Sequence, residues 1–434
     1  MGFAEAESSM ASSGGDRVCT FNHQCFCRCE TIWCSPRIPR VAPGRDYEWM
    51  PAAAAADDDD CAPWSLLVGF MSVISPSNTF FLRLHRFHVA RSGRVLSRSS
   101  DAVEVIGDVD YDSKTDASSQ VTVVTATPGT DGSSSLCLFC KETCFVDLKR
   151  IVPPRPLQLD LNLTGGGSKK IAVSRLSPLP GLPPELGPGM PTRPISAAGD
   201  LWAPYLTKHY GPCRLVMLRL DKDVGQWVEV AAIDLAQERE TPSFLTGRVL
   251  NGYAVVGDGG RTTILLSLNP RMQPDHPFFA FDCSTHTLAS VVTDHRCRPI
   301  HGRGVYVQED DTIYSLGGSC IICAHKLCQE EGEYRMAEPV KVDCVCPFNK
   351  DEGYGFLTHL GGRVMCAVWI SVDMSCTCDA FHVVISTFRV EGSSGGNREG
   401  PFVPKGVQVL HSTCRQLDMF PCKPTDYSEF CFLQ

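Results

Sequence analysis

The sequence has no long hydrophobic run, no sustained helical periodicity and no excess of basic charge. Its longest apolar stretch, Trp64–Ser75, falls well short of the ~20 residues a membrane-spanning helix needs. No membrane partner is therefore expected. Against 49 Asp and Glu stand 40 Lys and Arg, a net charge of −9. Binding nucleic acid over a broad surface needs a basic footprint, so that class of partner is not expected either. The first residues, MGFAEAESSMASSGGDR, carry acid early and lack the apolar core of a secretory signal. Gly2 is followed by Ala6 where an N-myristoylation pattern wants Ser or Thr. The expected location is cytoplasmic or nuclear. Catalytic signatures are missing too: there is no GxSxG elbow and no HExxH. The GGGSKK run at 165–170 lacks a Gly before the Lys and a Ser or Thr after it, so it reads as a turn rather than a phosphate loop.

What is abundant is cysteine, 23 residues in all. Without an export signal these are expected to be reduced, and many lie in apolar runs (Cys137, Cys283, Cys366, Cys376) as small buried hydrophobes. Two CxxC pairs, Cys137/Cys140 and Cys320/Cys323, invite a zinc reading, the second with Cys344/Cys346 and His325 nearby. Residues an odd number apart on a strand point to opposite faces, which favours core thiols over ligands. A denser group (Cys19, His23, Cys25, Cys27, Cys29, Cys34) matches no standard zinc spacing. No metal or cofactor is expected.

From Trp64 onward the chain reads as short β-strands parted by Gly, Pro and charged turns. Residues 1–61 read as a disordered arm, rich in Cys and Pro and ending in Ala and Asp runs; 62–434 read as the folded part. A first set of strands spans 64–127, and FLRLHRFHV breaks strict alternation at Phe81, Leu84 and Phe87. A second spans 136–233, with a hairpin expected around Glu142-Thr143 and a Pro/Gly-rich insertion at 151–212. Three regular sets follow, starting at Tyr253, Val305 and Tyr354, with spacings of 52 and 49 residues. The middle one contains GVYVQED, TIYSLGG, ICAHKL and YRMAEPV. Four antiparallel strands recurring about every 50 residues describe a β-propeller of kelch-type spacing, here five or six blades.

The segments LVMLRLDKDVGQWVEV, FFAFDCSTHTLASVV and TIYSLGG resemble the kelch motif. Trp227 stands where kelch repeats carry tryptophan, with Leu288 and Tyr334 in its place in the next two sets. The likeness covers residues 213–340 and, more loosely, 341–420. The whole chain resembles the large propeller families of cereal grasses, many of them related to F-box proteins. That resemblance implies a protein-binding propeller, with substrate recognition for a ubiquitin ligase as one role. Leu182-Pro183-Pro184-Glu185-Leu186 opens as an F-box does, but Gly187, Pro188, Gly189 and Pro191 forbid the helix that must follow.

One connector carries clustered chemistry: DHRCRPIHGR, Asp294 to Arg303. In a propeller it emerges on the same face as the second-to-third-strand loops. His295, Arg296, Arg298, His301 and Arg303 are thereby expected near Arg271 and His276. Guanidinium forks suit carboxylates and phosphates, so the expected partner is a protein or peptide with an acidic segment. The leading reading is a non-catalytic interaction platform. The alternative is a hydrolase or lyase using His295 or His301 as base; a further one is a protein without retained function.

Overall fold

The computed structural model describes residues 47–49, 64–74, 79–96, 104–111, 118–128, 134–143, 157–161, 177–180, 194–207, 214–235, 250–258, 260–268, 277–293, 297–317, 320–345, 353–371, 381–394, 402–417 and 430–433. Among them the architecture is all-β, with a 3-10 turn at Gln308–Asp310.

In chain order, β1 (Tyr47–Trp49) is followed by β2 (Trp64–Ile74), β3 (Thr79–Val89), β4 (Val95–Leu96) and β5 (Glu104–Tyr111). Next come β6 (Ser118–Pro128), β7 (Ser134–Thr143), β8 (Leu157–Leu161) and β9 (Ser177–Pro178). A third group holds β10 (Ile195–Ala197), β11 (Asp200–Thr207), β12 (Arg214–Asp221) and β13 (Gln226–Asp234). A fourth holds β14 (Leu250–Asp258), β15 (Arg261–Leu268), β16 (Phe278–Asp282) and β17 (Thr287–Ser290), trailed by β18 (Val292–Thr293). The fifth contains β19 (Gly302–Val307), β20 (Thr312–Leu316), β21 (Ile321–His325), the hairpin β22 (Leu327–Glu330) and β23 (Glu333–Met336), and β24 (Val340–Cys344). The sixth is β25 (Gly353–Gly361), β26 (Val364–Ser371), β27 (Phe381–Ser394) and β28 (Phe402–Leu417); β29 (Phe430–Leu433) ends the chain.

These groups are six antiparallel blades: the innermost strands β10, β6, β29, β25, β19 and β14 follow one another in contact, and the third blade packs on the fourth through side chains. The ring closes between chain ends: β29 pairs with β2, Leu66 opposite Leu433 and Gly69 opposite Phe430, and becomes the innermost strand of the first blade. The fold is thus a six-bladed β-propeller. Its core lies between blades. Ile195, Trp202 and Met217 of the third pack on Ile264, Leu266 and Phe281 of the fourth. Tyr314 and Leu316 of the fifth pack on Leu357, Met365 and Trp369 of the sixth. Middle strands, covered on both faces, read as continuous apolar runs: FFAFD and TIYSL are buried throughout, whereas the outer TLAS is mostly exposed.

The fourth and fifth blades are joined more closely. Gly252, Tyr253 and Ala254 of β14 pair in parallel with Gly302, Arg303 and Gly304 of β19, making one eight-stranded sheet. A Cβ on Gly252 would strike the carbonyl oxygens of Gly302 and Ile300, so only glycine lets the two backbones meet.

Several sequence expectations need correcting. The run at 121–128 belongs to the second blade, and the first blade takes its remaining strand from the C-terminus. The stretch 151–212 is not one insertion. β8 and β9 complete the second blade, while β10 and β11 open the third. Two of its described prolines sit where a missing N–H is tolerated: Pro178 on the outermost strand β9, and Pro204 on β11 beyond the reach of β10. No hairpin turns at Glu142-Thr143, since β7 runs through both residues, opposite Ser119 and Ser118. YRMAEPV is not a blade strand either. β23 pairs with β22 in a side hairpin, and Val340–Cys344 is the fourth strand. Within the supposed arm, Tyr47–Trp49 pairs with β28, while 1–46 and 50–61 lie outside the described residues. The strand FLRLHRFHV pairs with β2 without a break, and the bulge beside it lies in β5, where Ile106 is the extra residue between Val105 and Gly107.

Candidate functional site

Antiparallel order places the starts of β14 and β16 and the ends of β15 and β17 at one end of the fourth blade. The parallel β14–β19 pairing puts the start of β19 there as well. Ser267 Oγ accepts the N–H of Ile300 (3.0 Å), which ties the connector to β15. Around this anchor Arg298, His301 and Arg303 are all exposed, Arg303 lying opposite Tyr253 on the innermost strands. Burial of its ring lowers the pKa of His301, although part of the residue faces solvent, so the imidazole is neutral at physiological pH. Leu268 and Pro277, which flank the stretch holding Arg271 and His276, are hydrogen-bonded at 2.7 Å. Arg271, His276, His295 and Arg296 themselves lie outside the described residues. Three of the seven expected residues are therefore brought to one end of the fold.

The opposite end carries two hydrogen-bonded carboxylates, Asp282 buried and Asp221 half-buried. Asp221 and Asp282 each close a four-residue loop between third and fourth blade strands. Asp221 Oδ1 accepts the N–H groups of Asp223 and Val224; Asp282 Oδ1 accepts those of Ser284 and Thr285 and the Ser284 hydroxyl. Gly225 (φ 67°) and His286 (φ 55°) hold the left-handed position in the two loops. His286 offsets that cost by stacking on Phe281 and meeting Trp202 edge-on. Trp227 and Leu288 follow the loops at equivalent places; Tyr334, on the side hairpin, does not.

Asp282 also pairs with Arg261, which reaches Gln329 of the side hairpin (3.1 Å). Burial alone would raise the Asp282 pKa. The Ser284, Thr285 and Arg261 donors outweigh it and hold the carboxyl well below its ordinary 3.8. A carboxylate with a depressed pKa contributes its stability above the unfolded value and loses it as pH falls below about 4. Asp282→Asn is expected to flatten the acid limb of a urea-midpoint curve taken from pH 6 to pH 2.5. A limb as steep as in the wild type would mean Asp282 does not cause it.

Sequence reasoning missed two further buried polar groups. Asp310 receives Arg363 Nε (2.6 Å) from the sixth blade and the Tyr314 hydroxyl (2.9 Å). Ser315 Oγ lies 3.0 Å from His325 Nε2. Neither pattern is local enough to see before the strands are paired. Cys137, Cys283, Cys320, Cys344 and Cys366 are buried, and Cys376 lies outside the described residues. Cys320 joins the core between the fifth and sixth blades, whereas Cys323 is only half-buried. Among the described residues no three His, Cys, Asp or Glu converge as metal ligands, and no helix is long and apolar enough to cross a membrane.

The sequence matches no protein-family model and no curated protein. Solved structures of similar shape include an α-L-arabinanase of Penicillium chrysogenum, 13% identical over 76% of this chain and 99% of that one, with a TM-score of 0.38. A polysaccharide lyase is 11% identical over 80% and 77% of the two chains (TM-score 0.32). A puromycin hydrolase is 16% identical over 91% and 57% (TM-score 0.34). At these scores the likeness gives no residue of this chain a role.

Proposed function

We propose that the protein is a non-catalytic binding platform whose connector end recognises an acidic segment of a partner protein. The observation that carries this reading is the exposure of Arg298, His301 and Arg303 together at the start of β19. With His301 neutral, Arg298 and Arg303 supply the charge, and their planar forks suit carboxylates or phosphates. The resemblance to kelch-type, F-box-related propellers adds one direction, capture of substrates for a ubiquitin ligase by a chain without its own F-box.

The test compares partners captured from native tissue by wild type and by the Arg298→Glu/Arg303→Glu variant, with an oligoglutamate peptide as direct probe. Charge reversal is expected to weaken peptide binding at least ~10-fold, and added salt to weaken wild-type binding. Identical partner lists and peptide affinities would remove this end of the ring from consideration.

A second reading, a hydrolase or lyase with His301 as general base, draws on the neutral, accessible imidazole. Turnover of a glycoside, polysaccharide or amide by wild type, lost in His301→Gln, would favour it over the platform.

A further inference from the structure

His325 is 1% exposed, beside Ser315, itself 3% exposed, and it stands opposite Ile313, whose side chain belongs to the core between the fourth and fifth blades, so the ring shares that face. Its Nε2 is hydrogen-bonded to Ser315 Oγ at 3.0 Å, and its Nδ1 has no hydrogen-bond partner. Whichever tautomer forms, Nδ1 is left bare on the face where Ile313 enters the apolar core. A second proton would put a charge there and an N–H with nothing to receive it, a costly arrangement.

The ionisable groups on the surrounding elements give little relief. Lys326 reaches toward Asp311, as does the Tyr306 hydroxyl, and the Tyr334 hydroxyl meets Thr263. Lys341 and Asp343 stand opposite Cys323 and Ile322 on β24. His301, just before β19, is the group whose charge acts on His325, and it is repulsive.

We propose that His325 forms an acid-sensitive latch between the fourth and fifth blades: the neutral ring keeps the blades together, and its protonation loosens them. Burial, and behind it the His301 charge, pushes His325 down from 6.5 to about 4, and burial lowers His301 too. A histidine whose folded pKa is depressed takes its proton more readily once unfolded. The latch is therefore complete above about pH 6.5 and is lost as pH falls toward about 4. Asp282 acts only in more acidic solution, below about pH 4, so the two effects separate along the pH axis.

The test is urea unfolding of the full chain at pH 7.5 and pH 5.0, for wild type and for His325→Gln, which keeps an amide beside Ser315 but cannot titrate. Between these pH values the wild-type folding constant is expected to fall at least roughly tenfold more than that of the variant. Equal pH dependence in the two proteins would overturn the proposal. Hydrogen–deuterium exchange at the imidazole C2 positions of the wild type, read by mass spectrometry across pH, needs no variant. A His325 midpoint below about 5 sustains the latch, and one near 6.5 overturns it.

Discussion

Replacing Arg363 with methionine is expected to lower the stability of the fold by about 3 kcal/mol, the low end for breaking a buried ion pair from one side, because the Arg363 side chain is itself 39% exposed. The Asp310 side chain is 0% exposed, and its donors are Arg363 Nε on one oxygen and the Tyr314 hydroxyl on the other. Burial and the Asp310 carboxylate both raise the Tyr314 pKa, so its proton stays available as a donor. Without the guanidinium the carboxylate keeps one neutral hydrogen bond and no counter-charge. Methionine retains apolar cover for Phe402, over whose ring the guanidinium carbon lies at 3.8 Å, so the loss reports the charge rather than a hole. Arg363→Met combined with Asp310→Asn should destabilise less than Arg363→Met alone, because no bare charge remains. Urea unfolding measures both. A loss under about 1 kcal/mol for Arg363→Met would mean that water reaches Asp310 and the pair behaves as a surface bridge.

The second large effect concerns ring closure. A chain ended at Glu429 lacks β29, leaving Leu66, Leu67, Val68 and Gly69 of β2 without their partners on that side. Leu66, Leu67 and Val68 are at most 2% exposed, and Leu66 and Val68 belong to the core shared by the first and sixth blades. Removing the strand opens that core to water and creates an unpaired apolar edge, a template for association with other chains. Calorimetry is expected to replace one sharp transition with a broader one at lower temperature, and size exclusion to show oligomers. A monomer melting as the full-length chain does would show that the ring holds without this strand.

Why the sequence revealed the later blades but not the earlier ones follows from where the signals lie. Tyr253, Val305 and Tyr354 each lie within the innermost strand of a blade, and local turns keep them in step. The loops that Asp221 and Asp282 open are local, their hydrogen bonds staying within three residues, and they lie inside the two segments that resemble the kelch motif. The closing strand pairs residues hundreds of positions apart, and the rhythm of the last blades could not announce it. In the fifth blade a tight Glu331-Gly332 turn, both residues at positive φ, looks like the end of a third strand. It belongs instead to the side hairpin that lies along β18. Arg298, His301 and Arg303 were readable because they crowd one connector. Asp310 and Arg363, 53 residues apart, become partners only once two blades lie side by side.

The three glycines where β14 meets β19 also bear on how the ring can deform. Among the described residues, only the fourth and fifth blades are joined to each other by strand pairing. The remaining interfaces rest on side chains, whose packing tolerates small sliding. Elastic breathing of the ring is therefore borne by the other joints, and this arc moves as a single stiff plate. Arg298, His301 and Arg303 ride on that plate, so their mutual spacing is held constant while the blades around them shift.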